Sequence, residues 1–411
     1  MKQNKMGPIA LSGLIIGPIL GSGILILPPI VYGIAKDWAV LAWLAIILIS
    51  FVVAFIFGYI SIQFPGDGGA TNAVEHVFGP YAKRLAAFYL IIGVTFGASA
   101  VLLTAGEYMA KLGGMSPLTV SFILLPVCIA LLLARVHFLG KVAFVMSIVA
   151  AAVLFLGGAK SLLDYPEPLA ITSSFDPSAF GYALLILFWA IFGWEIIGNY
   201  SGDVREPKKT IRRAIWISIA AISAVDLVVA AAIQRTAASS IGEGDLTITA
   251  IIHSLFGGLS PLIMALLALF LCGSTYFLYA GGIARLIASL SAEKVLPAFL
   301  GKRSQHNVPV VGVLVIFVLN VAVLLAVRAG WFDLEELVAF ANSFLTINAL
   351  IGIVAGIVLI PSKFIKISGS ILALFFVGML FFHSSPLSLV LIGVLAVYYL
   401  YRHFSARVRL T

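Results

Sequence analysis

The chain has 411 residues, of which 62% are apolar and 10% charged, and a mean hydropathy of +1.14. Soluble domains carry about 45 to 50% apolar and about 25% charged residues, so this composition excludes a water-soluble enzyme and puts the chain in lipid. The formal charge of +8 does not mark a nucleic-acid binder, because the basic residues fall in the connections between apolar runs.

A helix needs about 20 apolar residues to cross a bilayer, because every backbone amide there must be bonded internally. Twelve such runs are predicted, over 8–32, 39–64, 85–110, 117–134, 142–159, 179–200, 214–233, 261–290, 308–327, 337–360, 365–382 and 386–401. With the N-terminus in the cytoplasm, alternate connections hold 20 of the 25 basic residues, among them Lys2, Lys83, Arg84, Arg205, Arg285, Arg303, Arg402, Arg407 and Arg409. The opposite connections hold Lys36, Lys111, Lys160, Arg235 and Arg328 beside acids that include Glu167, Asp176, Glu243, Asp245 and Asp333. This asymmetry predicts a multi-pass plasma-membrane protein with both termini cytoplasmic. No short apolar segment with a small-residue cleavage site precedes the first run, so no removable signal peptide is expected.

The first five runs and the next five share a layout. Each set opens with an interrupted run, Gly17-Pro18-Ile19-Leu20-Gly21-Ser22-Gly23 in the first and Ala190-Ile191-Phe192-Gly193-Trp194-Glu195 in the sixth. Each also has a long second connection with a short helical patch, over 73–78 and 249–256. Five spans per half turns the second half upside down, which is the geometry of alternating access around a midplane site. The expected organisation is a first repeat over 1–160, an inverted repeat over 178–360, and two final spans with a short tail over 361–411. Glycine weakens a helix by about 1 kcal/mol relative to alanine. A break at Gly21-Ser22-Gly23 would therefore present free N–H groups and a positive helix end, which suit a carboxylate. A small-residue packing face on an unbroken helix is the alternative. In the sixth run, carbonyls of Trp189, Ala190 and Phe192 can accept from an ammonium.

The run Ile19-Leu20-Gly21-Ser22-Gly23-Ile24-Leu25-Ile26-Leu27-Pro28 resembles the first-span signature of amino acid/polyamine/organocation (APC) superfamily transporters. Phe64-Pro65-Gly66-Asp67-Gly68-Gly69, Phe192-Gly193-Trp194-Glu195 with Glu206-Pro207, and Arg285-Leu286 with Leu296-Pro297 agree with it. Phe340-Ala341-Asn342-Ser343 looks like the branch that exports branched-chain amino acids and methionine. The resemblance spans roughly residues 8 to 405. It implies an all-α LeuT-like fold, with the substrate carboxylate at Gly21, Ser22 and Gly23 and the amine near carbonyls of Ile19, Trp189 and Phe192. Trp189 matches the aromatic that covers the substrate from outside, and Glu195 a gate or coupling residue.

Phe96, Phe188, Phe192 and Phe340 are available as apolar pocket walls, which predicts neutral, aliphatic amino acids as substrates, because a charged side chain buried unpaired costs several kcal/mol. For coupling, the lysine that many relatives carry in the fifth span aligns with Ala150. Ser274 and Thr275 could face backbone oxygens of Gly17 and Leu20 around sodium, while their bland reading is a bond to their own helix. Asp226, in the middle of the seventh run, and Glu195 are the proton-carrying alternatives, each with a structural reading as a buried, hydrogen-bonded acid. No other cofactor is expected, since Cys128, Cys272 and six scattered histidines have no metal-ligand spacing. No phosphate-binding loop appears, so no ATPase subunit is implied and transport draws on gradients or exchange. A channel-like facilitator, a carrier of another small amine, and a non-transporting scaffold subunit are the competing functions. A membrane-embedded enzyme lacks a catalytic cluster.

Overall fold

Proline closes φ near helical values and lacks an N–H that the first turn would leave unused anyway, so it starts helices. In the computed structural model, which describes residues 5–165, 169, 171–238 and 248–408, prolines begin α1 (Pro8–Leu20), α5 (Pro80–Ala110), α6 (Pro117–Leu132), α8 (Pro177–Leu187), α9 (Pro207–Ala238) and α15 (Pro386–Val408). Between them run α2 (Gly23–Ala35), α3 (Ala39–Gln63), α4 (Ala70–Phe78), α7 (Val136–Asp164), α10 (Ile248–Phe256), α11 (Ser260–Ala292), α12 (Val310–Arg328), α13 (Leu334–Leu359) and α14 (Lys363–His383). Side-chain caps start others. Asp333 accepts from the Glu336 N–H while Glu336 reaches back to Asp333, a capping box at the start of α13. Lys2, Glu167, Glu243, Asp245 and Arg409 of the charge pattern lie outside the described residues, as does the Arg407 side chain.

Helices cover every predicted apolar run, and α4 and α10 are the two predicted short patches. No strand occurs among the described residues; one isolated bridge joins Met6 to Val204. Nine helical stretches there are long and apolar enough to cross a membrane, the first being Pro8–Gln63, and two shorter apolar helices, Pro117–Leu132 and Pro386–Arg402, accompany them. The first stretch is interrupted at Gly21 and Ser22 and again at a 3-10 turn, Lys36–Trp38. Several helices outrun their predicted limits, because the apolar count ends at a charge while the hydrogen-bond ladder does not. Thus α7 extends past Lys141 at one end and Lys160 at the other.

Helix α1 is the buried axis: every residue from Ala10 to Leu20 is buried, enclosed by α7, α9 and α11. Helices α5 and α13 pack on each other, and α11 lies against α5. The outer helices α14 and α15 expose Leu374, Phe381, Phe382, Val397 and Tyr401, an apolar rim suited to lipid. Contact with α1 is close enough to need glycine. A Cβ on Gly13 would fall 2.2 Å from Phe144 Cα of α7. Overpacking of this kind costs about 1 to 3 kcal/mol. Gly13→Val is therefore expected to lower the midpoint of thermal unfolding in detergent by several degrees. Gly378→Ala, in α14 with no atom near the added methyl, should leave it unchanged or raise it, because the helix gains up to about 1 kcal/mol.

Candidate functional site

The first break is a terminated helix followed by a new one. Gly21 takes φ +40° and ψ −145°, and its N–H donates to the Gly17 carbonyl at 2.6 Å. Ser22 occupies the position before α2, but its side chain caps nothing. The first N–H groups of α2 have no acceptor within their own helix. In the other interrupted segment, α8 passes into a 3-10 turn, Phe188–Ile191; Phe192 is extended, Gly193 has φ +129°, and a second 3-10 segment, Trp194–Asp203, follows. In a continuous helix the Gly193 N–H would donate to the Trp189 carbonyl. Here it donates to Glu195 Oε2 at 2.9 Å, which leaves that carbonyl without its helical donor. Glu195 thus caps the broken segment, while its Oε1 is buried without a partner.

The two breaks touch. Trp189 Nε1 donates to Ser22 Oγ at 3.1 Å. A Cβ on Gly23 would lie 3.4 Å from Trp189 Cδ1 and 3.8 Å from Ala190 Cα, and one on Gly193 would lie 3.2 Å from Ile19 Cγ1. Beside them is a cavity of about 20 Å³, room for little more than one water. Its polar surface comes from Ser22, Thr275, Trp189 and Tyr279, and its apolar walls from Pro18, Phe192, Val94, Gly97, Val101 and Leu345. None of these residues is charged. Leu20 is buried at the end of α1. Ser274 and Thr275 both donate to the Leu271 carbonyl, at 2.9 and 2.8 Å, so their protons are committed within α11 while lone pairs stay available. Gly17 is where α1 meets Ser274, and Gly21 where it meets Thr275: a Cβ on Gly17 would clash with Ser274 Oγ and Ser147 Oγ, and one on Gly21 would lie 3.2 Å from Thr275 Oγ1.

The other expected residues sit farther out. Phe96 stacks with Phe340 at 4.4 Å and Phe332 at 5.6 Å, and Phe340 continues to Phe344 at 5.1 Å, an aromatic column joining α5 to α13. Phe188 packs on Phe375 and Phe376 of α14 at 4.8 and 4.5 Å. Of the four phenylalanines, only Phe192 lines the central cavity. The Asn342 Oδ1 on α13 is buried without a partner. Asp226 lines a separate cavity of about 10 Å³ with Ser50, Ser223, Ala190, Ile191 and Trp194, behind the broken segment; Trp194 Nε1 donates to Ser50 Oγ at 2.9 Å. Sequence reasoning missed Tyr279 and the row Val94, Gly97, Val101. Both carry a helical signal: Tyr279 is one turn beyond Thr275, and the row repeats every three to four residues.

Both ends of the bundle are tied. At one end Arg285 Nε contacts Asp203 Oδ2 at 2.7 Å, and its guanidinium lies 4.2 Å from the Tyr200 ring centroid. Arg303 pairs with Asp67, whose backbone carbonyl accepts from Asn199 Nδ2 at 2.7 Å. Burial raises the Asp67 carboxyl above its ordinary pKa, opposed by the guanidiniums of Arg303 and Arg285. The Met6 N–H donates to the Asp203 carbonyl and Arg205 N–H to the Met6 carbonyl, both at 2.9 Å. At the other end Asp37 accepts from the Thr172 N–H and hydroxyl at 2.9 and 2.7 Å and from the Ser173 N–H at 3.0 Å. Gln234 Nε2 donates to the Asp37 carbonyl at 2.9 Å.

The sequence matches the family described as amino acid permease over residues 6–404. It is similar to the uncharacterized amino acid permease YecA of Bacillus subtilis, 24% identical over 301 residues, which are 71% of this chain and 70% of that protein. It is also similar to the L-methionine/branched-chain amino acid exporter YjeH of Escherichia coli, 21% identical over 408 residues and 93% of each chain. The putrescine transporter PotE of Haemophilus influenzae is 25% identical over 337 residues, 78% of this chain and 76% of that one.

The geometry at Gly21 makes a prediction of sign. In a continuous helix Gly21→Ala would stabilise by about 1 kcal/mol. With φ +40° and a Cβ placed 2.5 Å from the Pro18 carbonyl oxygen, it should instead destabilise by about 1 to 2 kcal/mol. Gly23→Ala, whose Cβ makes ordinary contacts, is expected to be near neutral. Thermal unfolding of the two purified variants decides between a broken and a continuous first span.

Proposed function

The chain belongs to the amino acid permease family of the APC superfamily, a family of membrane transporters and not of enzymes, and from that premise we propose that it is a secondary transporter of neutral, aliphatic amino acids. The observation that carries this reading is the pair of helix breaks in contact beside an uncharged cavity. A zwitterion has one carboxylate and one ammonium at a single carbon. The break at Gly21, Ser22 and Gly23 exposes the α2 N-terminus, whose donors beyond the Gly21 N–H, itself committed to Gly17, suit the first, and carbonyls at Ile19, Trp189, Ala190 and Phe192 offer acceptors for the second. The side chain then meets Val94, Val101, Phe192 and Leu345, a surface that favours leucine, isoleucine, valine or methionine. The name of the Escherichia coli relative points the same way. Putrescine, named for the PotE relative, is a dication with no carboxylate, and no acid lines the cavity to balance it.

The protein on this reading has twelve spans, ten of them in two inverted repeats, 1–160 and 178–360, with 361–411 appended. An exchange of packing partners supports it. In the first half α4 packs on α5 and α13, and α3 on α8 and Trp194–Asp203; in the second α10 packs on α11 and α7, and α9 on α1 and α2. Swapping each element for its counterpart turns one set into the other. The positive-inside rule puts both termini, and the Arg285–Asp203 and Arg303–Asp67 pairs, on the cytoplasmic side of the plasma membrane. A cavity of about 20 Å³ does not hold an amino acid, so substrate admission requires the broken segments to part from α5 and α11. With both ends tied, this is a closed state, and transport alternates which end releases. An always-open pore is inconsistent with two such closures.

Coupling has two readings, each with its own residues. Sodium fits an oxygen-only set: the Ser274 and Thr275 hydroxyls with backbone oxygens of Gly17 and Leu20, in the lysine-free space beside Ala150. A proton fits Asp226, whose cavity is also lined by Ala190 and Ile191 of the broken segment, so that charging it would bear on the break. Glu195 is the second proton candidate through its bond to the Gly193 N–H.

Purified protein screened by thermal shift should be stabilised by leucine or methionine and not by arginine, glutamate or putrescine, since a ligand of the folded state stabilises by RT ln(1 + [L]/Kd). Gly23→Val, which crowds Trp189, should abolish the leucine shift; an unchanged shift refutes the site. In proteoliposomes, loss of a sodium requirement in Thr275→Ala identifies sodium, and loss of pH dependence in Asp226→Asn or Glu195→Gln identifies a proton. Transport indifferent to both ions identifies exchange or facilitated diffusion.

A further inference from the structure

Cations turned toward the interior at the Arg285 end are neutralised: Lys83 of α5 lies between Glu75 at 2.7 Å and Glu293 at 2.8 Å. Its neighbour Arg84 is half-buried and lies over the Tyr81 ring at 5.3 Å. Arg402, exposed near the end of α15, stands one helical turn beyond Tyr399. Neither arginine belongs to any of the six ion pairs among the described residues. Beside them α4, α5, α13 and α15 enclose a groove of about 480 Å³ lined by Phe78, Tyr81, Leu85, Ile351, Val354 and Tyr399. The Phe88 and Tyr399 rings, 6.1 Å apart, join α5 to α15 beside it. An apolar trough whose lining residues Tyr81 and Tyr399 lie next to two guanidiniums outside any of those ion pairs has the charge and shape of one ligand class. We propose that this groove binds an anionic phospholipid, its phosphate between Arg84 and Arg402 and an acyl chain along Leu85, Ile351 and Val354.

A second copy of the chain is a poor occupant, because it would bring further unpaired arginines to the same place. The site depends on membrane embedding and is independent of the substrate and coupling readings. It also explains why two cations sit here without acids: their counterion is the lipid.

The test is lipid retention by the full-length protein in nanodiscs holding equal phosphatidylglycerol and phosphatidylcholine, read by native mass spectrometry after detergent release. Both leaflets then present the anionic lipid, so orientation does not enter. The wild type should retain phosphatidylglycerol in preference. Each basic residue near a membrane surface contributes on the order of 1 kcal/mol, so Arg84→Gln with Arg402→Gln should weaken that preference about 30-fold. Val354→Trp, which fills the trough and keeps both arginines, should also reduce retention, and all variants should unfold cooperatively at a midpoint near that of the wild type. Equal retention of both lipids by the wild type, an undiminished preference in either variant, or competition by inorganic phosphate as effective as the lipid would overturn the proposal. So would disulfide cross-linking of Tyr81→Cys between two copies.

Discussion

A backbone polar group in the hydrocarbon of a bilayer has no water to turn to, and the rest of this structure depends on how that constraint is met where helices stop midway. At Gly21 and at Phe192-Gly193 the ladder of helical bonds is interrupted inside the bundle. The molecule satisfies part of the deficit itself, through the Glu195 carboxylate on the Gly193 N–H; the Gly21 N–H closes the last turn of α1 on Gly17, and the Trp189 indole joins the two breaks by donating to the Ser22 hydroxyl. What is left over, helix-end donors on one side and carbonyls on the other, is matched in sign to the two ends of an amino acid. On the proposed function, the unsatisfied polarity that would be a defect in an ordinary span is what binds the substrate.

That polarity works only if water stays out and the breaks can still move. Close glycine contacts hold α1 against α7 and α11, and a cavity of about 20 Å³ admits little more than one water. Mobility is reserved for the ends. The ties there are ion pairs, cation–π contacts and short backbone bonds such as Met6 to Asp203, which can be exchanged for water at modest net cost when an end opens. The packed helix interiors have no such alternative, so in the proposed transport cycle rigid segments turn about the two breaks.

Much of this was legible in the sequence because the bilayer imposes a length and glycine imposes a conformation. The apolar runs located the helices, the patches at 73–78 and 249–256 became α4 and α10, and Gly21-Ser22-Gly23 marked the first break. The rotation of each helix about its axis was not legible. A helix such as α5, apolar nearly all round, gives no preferred face, so Phe96 and Phe340 looked like pocket walls while they form a column beside the site, and Val94, Gly97 and Val101 line it instead. Nor could the end closures be read: Asp203 and Arg285 are 82 positions apart and Asp67 and Arg303 are 236 apart, so only the packed fold pairs them.

The central claim is that the helix break at Gly21 to Gly23 recognises a carboxylate. Calorimetric titration of the purified protein with leucine and with leucinol, which keeps the side chain and the amine but replaces the carboxylate by a hydroxymethyl group, tests it most directly. Hydrogen bonds to a charged group contribute about 1.5 to 3 kcal/mol each, so the account predicts that leucinol binds at least about tenfold more weakly than leucine. Equal affinity for the two would mean that the free N–H groups of α2 do not hold the substrate, and would contradict the account.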